Sequence, residues 1–242
     1  MPYLVSSDLP DRPAGERFRR LVERGGIVQL PGAHNGMAAL QARAAGFEGL
    51  YLSGAAMTAS MGLPDLGIIT VDEACFFART ISRATGLPIL VDGDTGYGGV
   101  LNTMHMVRAF EDAGAAAVHI EDQELPKKCG HLNGKRLVEP AEMAAKVAAA
   151  KRAARHLYVI ARTDAAGVEG FEAAVDRAKR YLDAGADAIF PEALTSSDDF
   201  ARFAERVDAP LLANMTEFGR TPYLTASEFE ALGYRMIIWP VS

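Results

Sequence analysis

The sequence predicts an α/β protein, a (β/α)8 barrel, on three observations. Eight short apolar or β-branched runs recur along the chain, longer amphipathic segments separate them, and helix-ending Ala-Gly pairs return at a near-constant interval. Strands alternating with helices imply a parallel sheet, and eight is the number that closes such a sheet on itself. A chain of 242 residues suits one barrel, since barrels run to roughly 200–250 residues without splitting.

The elements follow in order. A helix over about Gly15 to Arg24 precedes the first strand and is expected to cap the barrel's N-terminal mouth. Strands are expected at Ile27 to Leu30, Gly49 to Leu52, Pro88 to Val91, Ala117 to Ile120, Leu157 to Ala161, Ala188 to Phe190, Leu211 to Ala213 and Arg235 to Trp239. Helical periodicity falls at Gly36 to Ala45, Val71 to Thr85, Leu101 to Ala113, Pro140 to Arg155, Gly170 to Ala184, Ser197 to Arg206 and Ala226 to Leu232. Ala45-Gly46, Ala113-Gly114 and Ala184-Gly185 lie 68 and 71 positions apart, about two βα units per period. Glycine suits those helix ends because it takes the left-handed conformation without a Cβ penalty. Pro88 and Pro210 stand at the entries to strands three and seven, where proline costs no central ladder bond. The chain stops at Ser242, directly after the eighth strand, so residues 1–242 are expected to be a single catalytic barrel domain whose final helix is absent.

Composition narrows the function. A net charge of −6 argues against a phosphate-backbone binder, so nucleic acid is not an expected partner. Two cysteines form no disulfide framework and fit a reducing cytoplasm. Met1 to Arg20 has no apolar signal core, and no apolar run approaches the roughly 18 residues of a membrane span. The expected protein is cytoplasmic and makes no membrane contact.

Reacting groups in such barrels lie at the C-terminal ends of the strands. Those positions hold Ser53, Asp92 and Asp94, Glu121 and Asp122, Arg162 and Asp164, Glu192, then Asn214, Thr216 and Glu217, all converging on one mouth. Mg²⁺ takes one or two carboxylates and keeps several waters. Asp92 is the expected direct ligand, with Asp94, Glu121 and Asp65 holding its waters and Mn²⁺ as the alternative ion. Arg162 offsets this charge, and its planar fork matches a substrate carboxylate; pairing with Asp164 or Glu192 is the alternative. Lys127-Lys128-Cys129-Gly130-His131 sets a cysteine among basic groups, which favours the thiolate and suits acid–base chemistry. A solvated basic loop and a glycine-rich turn with solvated acids are the bland alternatives for these two motifs. Cys75 reads as a small buried hydrophobe, and His119 as a core or supporting histidine.

The chain from about Gly25 to Ser242 resembles the isocitrate lyase and phosphoenolpyruvate mutase superfamily, and within it the 2-methylisocitrate lyases. The resemblance rests on Tyr51-Leu52-Ser53-Gly54, Leu63-Pro64-Asp65-Leu66-Gly67, Val91 to Gly96, His119 to Gln123, Lys127 to His131, Ala161 to Ala165, Phe190 to Ala193 and Asn214 to Gly219, in that order. It implies a Mg²⁺-dependent lyase that splits the tricarboxylate (2R,3S)-2-methylisocitrate into pyruvate and succinate. In the family's pattern Asp92 matches the metal ligand, and Asp65, Asp94 and Glu121 match carboxylates acting through bound water. Ser53, Gly54 and Ala55 match the segment holding the α-keto acid, with Tyr51 beside it. Arg162, Glu192, Asn214 and Thr216 match groups around the substrate carboxylates. Cys129 matches the acid that protonates the succinate carbanion from a mobile loop, its thiolate stabilised by Lys127 and His131, while Tyr51 or a carboxylate near the metal matches the base. The resemblance also implies a homotetramer, provided the final helix is present in the full protein. Competing activities on this scaffold are isocitrate lyase and carboxyphosphonoenolpyruvate mutase, with a non-catalytic ligand-binding relative behind them. Thr216-Glu217-Phe218-Gly219 stands where isocitrate lyases usually carry Ser-Pro-Ser, which favours the methylated substrate.

Overall fold

The computed structural model describes residues 2–130, 132–216, 219 and 221–240. Their strands are β1 (Val28–Pro31), β2 (Leu50–Leu52), β3 (Ile89–Asp92), β4 (Ala117–Glu121), β5 (Tyr158–Thr163), β6 (Ala188–Pro191), β7 (Leu212–Asn214) and β8 (Met236–Trp239). All pairings are parallel, in two arcs ordered β2-β3-β4-β5-β6 and β1-β8-β7. Single parallel bridges at Gly32–Tyr51 and Ile189–Leu211 join the arcs at both seams, so the eight strands run once around a closed ring. The predicted barrel is therefore present, with strand limits shifted by a residue or two.

Alternation along each strand divides the core in two. Leu30, Tyr51, Leu90, Ala117, Ile160, Phe190, Leu212 and Ile238 belong to the cluster that fills the barrel. Their neighbours Leu52, Val91, Val118, Ala161, Ile189, Ala213 and Ile237 belong to the outer cluster beneath the helices.

The helices are α1 (Ala14–Glu23), α2 (Gly36–Ala44), α3 (Gly54–Ser60), α4 (Val71–Thr85), α5 (Val100–Asp112), α6 (Pro140–Ala153), α7 (Phe171–Asp183), α8 (Ser197–Arg206) and α9 (Ala226–Ala231). Helix α1 caps the barrel as expected: Phe18 and Val22 are buried in the interior cluster, and the Phe18 ring meets Tyr158 at 5.4 Å. Gly15 allows that approach, since a Cβ there would lie 1.8 Å from the carbonyl oxygen of His156. Gly46, Gly114 and Gly185 all have left-handed backbones, with φ of 94°, 93° and 102°. The next residue in each case donates its N–H back across the last turn, to Ala42, Phe110 and Tyr181, which is the reason for the repeated Ala-Gly.

Two features depart from the sequence reading. Helix α3 has no counterpart there, because its seven small and apolar residues carry no amphipathic period; the Ser53 hydroxyl starts it by accepting from Ala56 N at 3.4 Å. The outer face of β8, whose cover the sequence left open, holds Ile237 fully buried in the outer cluster with Phe229 and Tyr234.

Candidate active site

A cavity of about 80 Å³ opens at the C-terminal end of the barrel. It is lined by Tyr51, Ser53, Ala55, Asp65, Asp92, Lys127, Cys129, Arg162, Glu192, Asn214 and Thr216, which are eleven of the fifteen residues to which the family resemblance gave a metal, substrate or proton-transfer role. Lys128, Gly130 and Pro240 complete the lining. Gly54, Asp94 and Glu121 stand just behind the wall, and His131 lies outside the described residues. The sulfur of Cys129 is exposed, whereas Cys75 is buried on α4 as expected.

Register brings the acids together. Asp92 ends β3 opposite His119 on β4, and Glu121 ends β4 opposite Arg162 on β5, so all four lie inside the ring. Asp92 Oδ2 accepts from Gly54 N at 3.0 Å, and Oδ1 accepts from Asp94 N at 3.0 Å. The Gly54 N–H therefore fixes the Asp92 carboxylate. Burial opposes the Asp92 charge, but His119, Lys127, Arg162 and the Asp94 N–H outweigh it and hold the carboxyl below its ordinary range. Burial, with the Asp92 charge adding to it, lifts Asp94 to about 6 against the pull of Lys127. Glu121 is raised well above its usual value, again first by burial.

These residues fit a hard divalent cation. Glu121 Oε1 has no hydrogen-bond partner among the described residues, and Oε2 meets Arg162 Nη1 at 3.1 Å. Asp94 Oδ1 is met by the Lys127 ammonium at 2.7 Å. The donors are all carboxylate oxygens, the ligand type Mg²⁺ and Mn²⁺ prefer. No three metal-binding side chains among the described residues converge into a closed cage.

Tyr51 and His119 extend this cluster. Tyr51 Oη lies 2.9 Å from His119 Nε2 and 3.4 Å from Asp92 Oδ2. Burial lowers His119 to about 4, so its ring is neutral near pH 7. A proton on Nε2 serves the most groups: the ring donates to Tyr51 Oη, whose hydroxyl then donates to Asp92. Burial and the Asp92 charge push the Tyr51 hydroxyl well above 10, which leaves it a donor that orients Asp92. His119 is thus a supporting residue of the site, as one of its two predicted readings held.

Two basic residues are held by the acids. The guanidinium of Arg162 lines the cavity and is shared among Asp164 (Nε–Oδ2 3.0 Å), Glu121 and Glu192 (Nη2–Oε2 3.4 Å). Lys127 pairs with Asp65 at 2.5 Å and Asp94 at 2.7 Å. Predicted to stabilise the sulfur, it serves as counter-ion to the acids, because a buried carboxylate cluster draws the nearest ammonium. The Asn214 amide donates to Glu192 at 3.3 Å. Sequence reasoning gave no role to Gln123, Lys135, Tyr181 or Arg177. Buried Asp122 accepts from Thr163 Oγ1, Asp164 N and Tyr181 Oη at 2.8–2.9 Å, tying the ends of β4 and β5 to α7. Its only sequence signal was an acid next to Glu121.

Comparison with known proteins follows from this geometry. A family model described as phosphoenolpyruvate phosphomutase matches residues 18–242. The 2-methylisocitrate lyase of Bacillus subtilis (strain 168) is 56% identical over 242 residues, covering 100% of this chain and 80% of that protein. Among solved structures, 2,3-dimethylmalate lyase superposes with a TM-score of 0.92 at 38% identity, covering 96% of this chain and 79% of that one. Phosphonopyruvate hydrolase in complex with oxalate and Mg²⁺ gives 0.85 at 31% identity, covering 95% and 81%.

Proposed function

The chain belongs to the phosphoenolpyruvate phosphomutase family, and on that premise we propose that it is a lyase enzyme that cleaves (2R,3S)-2-methylisocitrate to pyruvate and succinate. One observation carries the reading: Asp92, the proposed metal ligand, and Cys129, the proposed acid, line the same cavity. The setting we propose is propionate catabolism in the cytoplasm, by a single-domain barrel assembled as a homotetramer. Exposed Met37, Phe76 and Leu101 on α2, α4 and α5 support association, and no described helix is long and apolar enough to cross a membrane.

Asp92, with Asp65, Asp94 and Glu121 beside it, would hold Mg²⁺ or Mn²⁺, which would supply a Lewis acid for the developing keto oxygen. Ser53 and Ala55 receive the pyruvate portion; Arg162, Glu192, Asn214 and Thr216 surround the succinate carboxylates. A carboxylate of the acid cluster takes the hydroxyl proton, since Tyr51 keeps its own. As the carbon–carbon bond breaks, its electron pair passes to the succinate carbon. The Cys129 thiol delivers a proton there and is left as a thiolate, with His131 as the proposed stabilising partner. A carbanion this basic demands a dry site, so the segment carrying Cys129 must cover the cavity during cleavage.

The test is pyruvate release with Mg²⁺ and again with EDTA. We expect release that EDTA abolishes, and that falls by about 10²-fold or more in Cys129→Ser while pyruvate plus succinate still raises its melting temperature. Full turnover by that variant removes Cys129 as the acid. Parallel assays with isocitrate and with a phosphonopyruvate precursor decide the substrate, because a single methyl contributes only about 1–3 kcal/mol of discrimination.

A further inference from the structure

The segment that carries Cys129 is a loop with a pinned neck. Gln123 bridges Leu137 in antiparallel fashion, and Glu124 N donates to Arg136 O at 2.8 Å, so the intervening residues leave the barrel and return at one point. Beyond that neck the loop backbone is held over the cavity by side chains. The Gln123 amide grips Lys128 at both ends, accepting from its N–H at 3.0 Å and donating to its carbonyl at 2.9 Å. Lys135 does the remaining holding: its ammonium donates to the carbonyl of Gly130 and pairs with Asp164 Oδ1 at 2.7 Å.

We infer that Lys135 is a positioning residue of the reaction, a latch that sets Gly130, and with it the adjacent Cys129, over the cavity. Its side chain is 3% exposed, yet its partners belong to two different bodies, the loop and the end of β5. A buried ammonium that merely supported the scaffold would have no reason to span them. The shared anchor matters too. Asp164 also holds Arg162, through Nε and Nη2 at 3.0 and 3.2 Å, so the guanidinium facing the cavity and the latch of the loop compete for one carboxylate. A ligand carboxylate that draws Arg162 toward the cavity leaves more of the Asp164 charge to Lys135 and tightens the latch. Filling the site and seating the acid are thereby linked through one side chain.

This inference rests on the lyase reading for its kinetic arm alone, and a second arm is independent of it. Loss of the latch should free the loop locally, so trypsin should cut after Lys127 or Lys128 about tenfold faster in Lys135→Met than in the unaltered protein, without substrate. In turnover, Lys135→Met should lower kcat about tenfold or more with KM within about threefold, because the latch positions the acid and touches no part of the substrate. Lys135→Arg, which keeps charge and donors, should recover part of both effects. Cys75 is the folding control, since a buried thiol that stays unreactive to iodoacetamide reports an intact barrel. If Cys75 reacts in Lys135→Met, the same two measurements are read on Lys135→Gln. Unchanged proteolysis in a folded variant overturns the latch, as does a fall in kcat without faster cutting. Faster cutting in a protein that releases no pyruvate keeps the latch and rejects the lyase assignment.

Discussion

Gly130 shows how little room the closed site leaves. A Cβ there would lie 2.4 Å from Glu192 Cγ and 2.5 Å from Arg162 Nη2. Neither neighbour can yield easily, since both are buried and paired with each other at 3.4 Å. Gly130→Ala should therefore fold normally but seat its loop about an ångström too high, and a displacement of that size costs on the order of 10²-fold in rate. Steady-state kinetics beside a melting curve checks this: a variant with normal stability and normal kcat would show that Cys129 acts without the seating seen here. Glycine is required at this position by close approach, which no spacing rule in the sequence could reveal.

At the scale of elements, Glu111 at the end of α5 joins that helix to the entrance of β5. Its carboxylate accepts from the backbone N–H groups of Arg155, His156 and Leu157 at 3.0, 2.7 and 2.7 Å, and pairs with Arg108. Burial opposes its charge, but those three N–H groups outweigh burial and set its folded pKa below the ordinary 4.5. A lowered carboxyl pKa contributes stability that is complete above the unfolded value and is lost as pH falls through the folded one. Glu111→Gln should thus cost about 1–3 kcal/mol at pH 7, and its deficit against the unaltered protein should shrink as pH drops below about 4.5. Melting temperatures between pH 7 and pH 3 give the answer; a deficit constant across that range would mean the charge contributes nothing.

For the whole molecule, the acid cluster is the proposed receptor for a divalent ion. Binding to the folded state alone stabilises by about 2.7 kcal/mol at a hundredfold excess over Kd. Mg²⁺ should raise the melting temperature, EDTA should reverse the rise, and Asp92→Asn should abolish it, whether or not the substrate has been identified. A shift that survives in Asp92→Asn would move the ion's anchor to another carboxylate. Closure of the ring matters here, because parallel register places Asp92 beside His119, and Glu121 beside Arg162 one interior layer further along, all inside it.

What the sequence determined by itself was the barrel and most of the lining of its mouth. Alternating strands and helices, left-handed glycines after Ala45, Ala113 and Ala184, and polar residues at strand ends are local signals, read from neighbours in the chain. Tertiary structure alone decided which charge meets which. Lys127 turned to Asp65 and Asp94, Gly54 to Asp92, and Lys135 to Asp164 across 29 positions of sequence. Those pairings follow from distance and burial, because a charge taken out of water must find its partner in space, and separation along the chain does not record who is near.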